Sequence, residues 1–161
     1  METKEEAQVV YATKVKEVRM QEIKLTLDIE KKSNIQIAES SDSYKNLLKI
    51  WEDDIDLRER FVVIYLNRNN NVIGYYNVSS GGIYSTVVDP KLIFTTALLT
   101  GATGIILAHN HPSGNLKPSS TDIKITNNAI ESGKLLSINI LDHLIITSKG
   151  YYSFTDEGLI K

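Results

Sequence analysis

The sequence predicts an α/β domain, more closely an α+β one, with a mixed β-sheet flanked by helices. Three observations carry this. Residues 61–66 and 104–108 are continuous apolar, β-branched runs of the kind buried on both faces of a sheet. Two helical segments with start and stop signals follow residues 89 and 119. The order helix, strand, strand, helix, strand, helix, strand, strand mixes hairpins with crossovers, which excludes a regular doubly wound sheet.

Residues 1–40 are expected to form an N-terminal arm or strand extension. Val9, Val10 and Tyr11 suit the start of a strand, and residues 23–29 alternate apolar and polar at period two until Ser33 and Asn34 break the pattern. The arm is expected to pair with the main domain, residues 41–161, or to serve a homodimer contact. Tyr44, Leu47, Leu48 and Trp51 then fall at helical spacing behind the N-cap choices at 41–43, and that helix should end near Asp53 and Asp54.

After the strand at 61–66, the cluster at 67–71 is a turn and 72–78 the return strand of a hairpin. Residues 79–82 read as a loop and 85–88 as a short strand. Asp89 as N-cap and Pro90 at the first helical position open a helix that stops at Gly101, with Leu92, Ile93, Ala97 and Leu99 as its expected buried side. The strand at 104–108 delivers the chain to His109. A helix from Ser120 to about Ser132 should close at Gly133, with Ile123, Thr126 and Ile130 on one face. Residues 136–147 read as a long strand, 148–150 as a turn and 151–154 as a final short strand.

Composition narrows the function classes. The 161 residues are 42% hydrophobic, enough for one self-supporting domain, and contain no cysteine. Disulfides and thiolate metal sites are therefore excluded, so a transition metal must be held by His, Asp or Glu. No apolar run reaches the roughly 20 residues of a membrane span. The first residues lack the order of a signal peptide, so a cytoplasmic location is expected. With 18 basic and 20 acidic residues the net charge is −2, and the Lys and Arg of 12–32 alternate with acids. That pattern is a solvated face and gives no strong nucleic-acid-binding signature. No glycine-rich phosphate fingerprint occurs.

The chemistry concentrates in residues 107–122. Two of the three histidines stand one residue apart, as His109 and His111. At a strand end the period of two sends both imidazoles to one face, where they can share a cation at about 2.0–2.1 Å. Asp122, at the third position of a helix capped by Ser119, can supply a third ligand from the positive end of the helix dipole. Read alone, Ser119 and Asp122 are a capping box, and the two roles are compatible. Two neutral imidazoles and one carboxylate leave a fourth position open, the layout of a catalytic zinc. Glu59, at the mouth of the strand 61–66, is the candidate general acid/base, with Glu52, Asp53, Asp54 and Asp56 as neighbouring competitors. The Ser119 hydroxyl is a candidate oxyanion donor. His143, beside Asp142 in an apolar strand, reads as a satisfied structural histidine, while Asn110 and Ser113 shape the loop.

The pattern His-x-His, seven residues, Ser, two residues, Asp resembles the JAMM metalloprotease motif of JAB/MPN domains, which pairs with an upstream Glu. The string His-Asn-His-Pro-Ser-Gly with Pro118, Ser119 and Asp122 resembles more narrowly the RadC family. So do Glu59-Arg-Phe61, Leu141-Asp-His143 and the tail from Ser153-Phe154 to Glu157-Gly158. The resemblance covers roughly residues 40–161. It implies a JAB/MPN sandwich like that of cytidine deaminases, Zn2+ on His109, His111 and Asp122, Glu59 as the general acid/base and Ser119 as the oxyanion-stabilising serine. It further implies hydrolysis of a peptide or isopeptide bond in a protein substrate. Longer RadC-like proteins carry a helix-hairpin-helix module, for which the first 40 residues are too short and too strand-like. The alternative is a non-catalytic or DNA-repair-associated accessory module. Zinc deaminases themselves are excluded because their Pro-Cys-x-x-Cys has no counterpart here.

Overall fold

The computed structural model describes residues 33–51, 54–81 and 88–161. Its elements are α1 (Ser40–Trp51), β1 (Arg60–Leu66), β2 (Val72–Ser80), α2 (Pro90–Thr100), β3 (Gly104–Asn110), α3 (Ser120–Leu136), β4 (Asn139–Thr147) and β5 (Gly150–Ser153). The five strands form one mixed sheet in the order β2-β1-β3-β4-β5. β1 is antiparallel to both β2 and β3, β4 is antiparallel to β5, and β3 runs parallel to β4 through the α3 crossover. The expected mixed sheet with flanking helices is therefore the observed architecture.

Strand alternation sorts the apolar runs into two cores. Phe61, Val63, Tyr65, Ile105 and Leu107 face α2 and α3, meeting Ile93, Phe94, Ala97 and Ala129. Val62, Ile64, Leu66, Ile106 and Ala108 face the other way, onto Leu47 and Trp51 of α1. This is why β1 and β3 carry no polar interruption: each is covered on both sides. A smaller cluster of Ile145, Phe154 and Ile160 closes the end of the domain. Buried Asp142 ties it down, accepting the Ser153 hydroxyl at 2.7 Å and the Thr155 N–H at 3.0 Å.

Caps fix the helices. The Asp89 carboxylate accepts the Lys91 N–H at 2.9 Å, Pro90 opens α2, and Gly101 ends it at φ 65°. α3 overruns the expected stop at Gly133 and ends at Ser137, which takes the left-handed conformation at φ 57°. Gly133 is instead an interior helix residue. A Cβ there would collide with the main-chain carbonyl of Ile138, so glycine admits the close return of the chain from α3 into β4. Consequently β4 begins at Asn139 rather than 136, and Leu135 is exposed.

The expected buried face of α2 is corrected. In α2 the buried stripe is Ile93, Phe94 and Ala97, while Leu92 and Leu99, seven residues apart on another stripe, are 41% and 44% exposed. In α3 the stripe is Asp122, Thr126, Ala129 and Gly133, and Ile123 is 40% exposed. Its two polar members, Asp122 and Thr126, are buried because they face His109 and His143. β2 runs on to Ser80, past the expected end at 78. Residues 85–87 of the expected short strand lie outside the described residues, as does the arm up to residue 32. Gln36 forms a bridge with Asn71, and Ile37 joins the α1 core. Among the described residues no helix is long and apolar enough to cross a membrane.

Replacing a mid-helix glycine by alanine ordinarily gains up to about 1 kcal/mol. Gly133→Ala is expected to do the reverse and cost roughly 1–3 kcal/mol of overpacking. Urea denaturation of the two proteins checks this, and a raised midpoint for the variant would refute the close approach.

Candidate metal centre

β3 is buried along its whole length and ends at Asn110. Its last apolar-face position is His109, paired with Phe61 of β1, whose ring stacks on the imidazole at a centroid distance of 6.0 Å. His111 lies just beyond the strand, held by its N–H on the Ile146 carbonyl at 3.1 Å. The chain then turns back through Gly114, whose N–H reaches the His111 carbonyl at 2.9 Å and whose φ is 78°. This turn brings the Asn115 carbonyl to 2.5 Å from His111 Nδ1. A carbonyl only accepts, so Nδ1 carries a proton, and in the neutral ring Nε2 keeps the lone pair.

A parallel β–α–β crossover sets the helix antiparallel to its strands. The N-terminus of α3 therefore returns to the strand end that carries the histidines. Ser119 and Asp122 form a reciprocal capping box there. Asp122 Oδ2 accepts the Ser119 N–H and hydroxyl, both at 2.7 Å. Its other oxygen, Oδ1, faces His109 Nε2 at 3.3 Å. His109 Nε2 and His111 Nε2 are 3.0 Å apart, and His111 Nε2 lies 3.8 Å from Oδ2. Among the described residues, His109, His111 and Asp122 form the one group with the donors to hold a metal ion. A tetrahedral ion with bonds of about 2.0–2.1 Å sets its ligand atoms about 3.3–3.4 Å apart, and His109 Nε2 lies close to that from both His111 Nε2, at 3.0 Å, and Asp122 Oδ1, at 3.3 Å. The three residues present fit a zinc-sized cation.

Electrostatics favour the ligating form of Asp122. Burial raises its carboxyl, but the hydrogen bond and charge of His109 and the two Ser119 donors outweigh that and hold it well below the usual carboxylate range. Behind the ligands lies His143 on β4, fully buried and kept neutral by that burial. Its Nε2 is 2.9 Å from His109 Nδ1, and its Nδ1 is 2.6 Å from the Thr126 hydroxyl. His143 thus contacts a candidate ligand directly, a role its apolar strand context did not disclose. Thr126 looked like one more face residue of α3. The signal for both lies in register: Leu107 pairs with His143, which brings the third histidine beside the first.

Ser119 sits at the site with its hydroxyl given to Asp122. Glu59 stands one residue before β1 and two before Phe61, at the sheet end where His109 lies, and is partly buried. Its carbonyl accepts the Gly81 N–H at 3.0 Å. Asn110 points to the opposite face and brackets this position. Its amide donates to the carbonyls of Ile55 at 2.6 Å and Arg58 at 2.9 Å and accepts the Arg60 N–H at 2.8 Å.

Known proteins bear on this site. The family model described as RadC-like JAB domain matches residues 37–159. A UPF0758 protein of Flavobacterium johnsoniae is 52% identical over 101 residues, which cover 63% of this chain and 44% of that protein. One from Salinibacter ruber is 43% identical over 123 residues, covering 76% of this chain and 51% of its own length. One from Methanosarcina mazei is 41% identical over 104 residues, covering 65% and 45%. The chain thus spans about half the length of these curated relatives.

The Asp122 geometry fixes a pH dependence for the metal-free protein. Its folded carboxyl lies below the unfolded value of about 3.9. The stability this contributes is present above that value and lost as pH falls through the folded one. Asp122→Asn should therefore be less stable than wild type at neutral pH, with a gap that narrows in strong acid. Urea midpoints across the acid range measure it, and a constant gap would contradict the assignment.

Proposed function

The chain belongs to the RadC-like JAB domain family, and from that premise and the site's geometry we propose a zinc-dependent hydrolase of JAMM type that cleaves a peptide or isopeptide bond. The observation that carries this reading is the convergence of two imidazole nitrogens and one carboxylate oxygen within 4.8 Å of one another. Three such donors fill three corners of a tetrahedron and leave the fourth to a reactant, as in catalytic rather than structural zinc sites.

His109 Nε2, His111 Nε2 and Asp122 Oδ1 are the proposed zinc ligands. Zinc held there would supply Lewis acidity, polarising an amide carbonyl and acidifying water at neutral pH. Glu59 is the general acid/base. From the sheet end beside His109 its carboxylate takes a proton from the attacking water and passes it to the leaving amine. Asn110 supports that role by clamping the main chain on both sides of Glu59. The Ser119 hydroxyl stabilises the oxyanion, for which it turns from Asp122 while its N–H keeps Oδ2 in place. Phe61, stacked on His109, shields the ligand from water on one side. The complete donor set favours an enzyme over a scaffold that has lost its ligands. The substrate of this reading is a protein or peptide.

Purified protein should retain about one zinc per chain, and His109→Ala should lose it. Glu59→Gln should keep the zinc but lower the turnover of a cleaved peptide or isopeptide by about 10²–10⁴-fold. Metal analysis and cleavage of peptide and isopeptide libraries test this. A stoichiometrically loaded protein that cuts no member, or a fully active Glu59→Gln, would count against the hydrolase.

A further inference from the structure

The hydrogen bonds behind the ligands run in one direction only. The Thr126 hydroxyl owns a single proton, and the main-chain carbonyl of Asp122, one helical turn back, takes it at 2.7 Å. A carbonyl has nothing to return. The short contact from Thr126 Oγ1 to His143 Nδ1, 2.6 Å, is therefore a bond that His143 donates. His143 has no exposed surface, and a neutral ring with its proton on Nδ1 has only a lone pair on Nε2. The 2.9 Å contact to His109 is then donated by His109 Nδ1. In the neutral ring, that leaves the lone pair of His109 on Nε2.

The consequence falls at the centre of the site. With both rings neutral, His109 Nε2 and His111 Nε2, 3.0 Å apart, present lone pairs, and Asp122 Oδ1 presents a third at 3.3 Å from the first. Three electron-pair donors then face one another. Such an arrangement is repulsive until a proton or a metal ion sits between them. We infer that Thr126 and His143 are positioning residues of the metal centre, holding His109 in the tautomer that leaves Nε2 free to ligate and tying that strand ligand to the helix turn that carries Asp122. This rests on the metal reading above and adds to it which groups prepare the ligand. It also accounts for the third histidine. His143 Nε2 is spent on His109 rather than on the ion, so it does not close the fourth corner.

Packing and sequence agree with this role. Phe154 stacks on His143 at 4.7 Å and Phe61 meets it edge-on at 5.6 Å, so the plane of the ring is fixed. Thr126 lies four residues after Asp122, the spacing at which a hydroxyl back-bonds to a helical carbonyl. Valine would match its shape without accepting a proton. Serine would keep the oxygen.

The test uses the full chain and zinc alone. Imidazole nitrogen NMR of the metal-free wild type at mildly alkaline pH should show His109, His111 and His143 all protonated on Nδ1. Thr126→Val should weaken zinc binding, measured by chelator competition, by roughly 10–100-fold, the usual effect of losing a group that orients a ligand. Thr126→Ser should restore most of it, which a merely structural contribution of the threonine methyl would not. His109 found protonated on Nε2, or Thr126→Val binding zinc as tightly as wild type, overturns the inference. Should Thr126→Val fail to fold, the wild-type tautomers and the serine variant still decide it. Wild type that shows the expected tautomers but binds no zinc would instead sink the hydrolase reading and leave the proton chain standing.

Discussion

The two oxygens of Asp122 serve different partners, and the site depends on that division. Oδ2 is consumed by the N–H and hydroxyl of Ser119, which locks the carboxylate to the first turn of α3. Oδ1 is thereby aimed at His109 Nε2. A carboxylate at a helix N-terminus is already stabilised by the dipole and by otherwise unpaired N–H groups. The fold gains a helix cap and a candidate metal ligand from one side chain. The arrangement requires the parallel β3–α3–β4 crossover, because only then does the helix start where the strand ends.

Burying this much polarity beside an apolar core is costly unless each group is paired. The pairing is complete in a particular way. His111 gives its proton to a loop carbonyl, His143 to Thr126, and Thr126 to the helix main chain. On the opposite face of β3, Asn110 satisfies both ends of its amide on the segment before β1. The groups left facing one another are those that suit a cation. The same strand therefore supports the site on one face and holds the main chain on both sides of Glu59 from the other.

Much of this was legible in the sequence because it is local. The buried runs of β1 and β3, the Asp89-Pro90 start of α2, the Ser119–Asp122 cap and the His-x-His spacing each depend on residues a few positions apart. What was not legible depends on register or packing. Apolar content alone put Leu92 and Leu99 inside. The structure instead buries Phe94 in α2 and the polar stripe of Asp122 and Thr126 in α3. Gly133 has the residue type of a helix stop, and only its approach to Ile138 shows why the helix passes through it. His143 looks structural until the β3–β4 register places it against His109.

The central claim is that His109, His111 and Asp122 meet on a single ion. X-ray absorption at the zinc edge of the loaded protein tests it most directly. The account predicts a four-coordinate ion with two imidazoles and oxygen donors at about 2.0–2.1 Å. A six-coordinate, all-oxygen shell, or an imidazole count other than two, would contradict it.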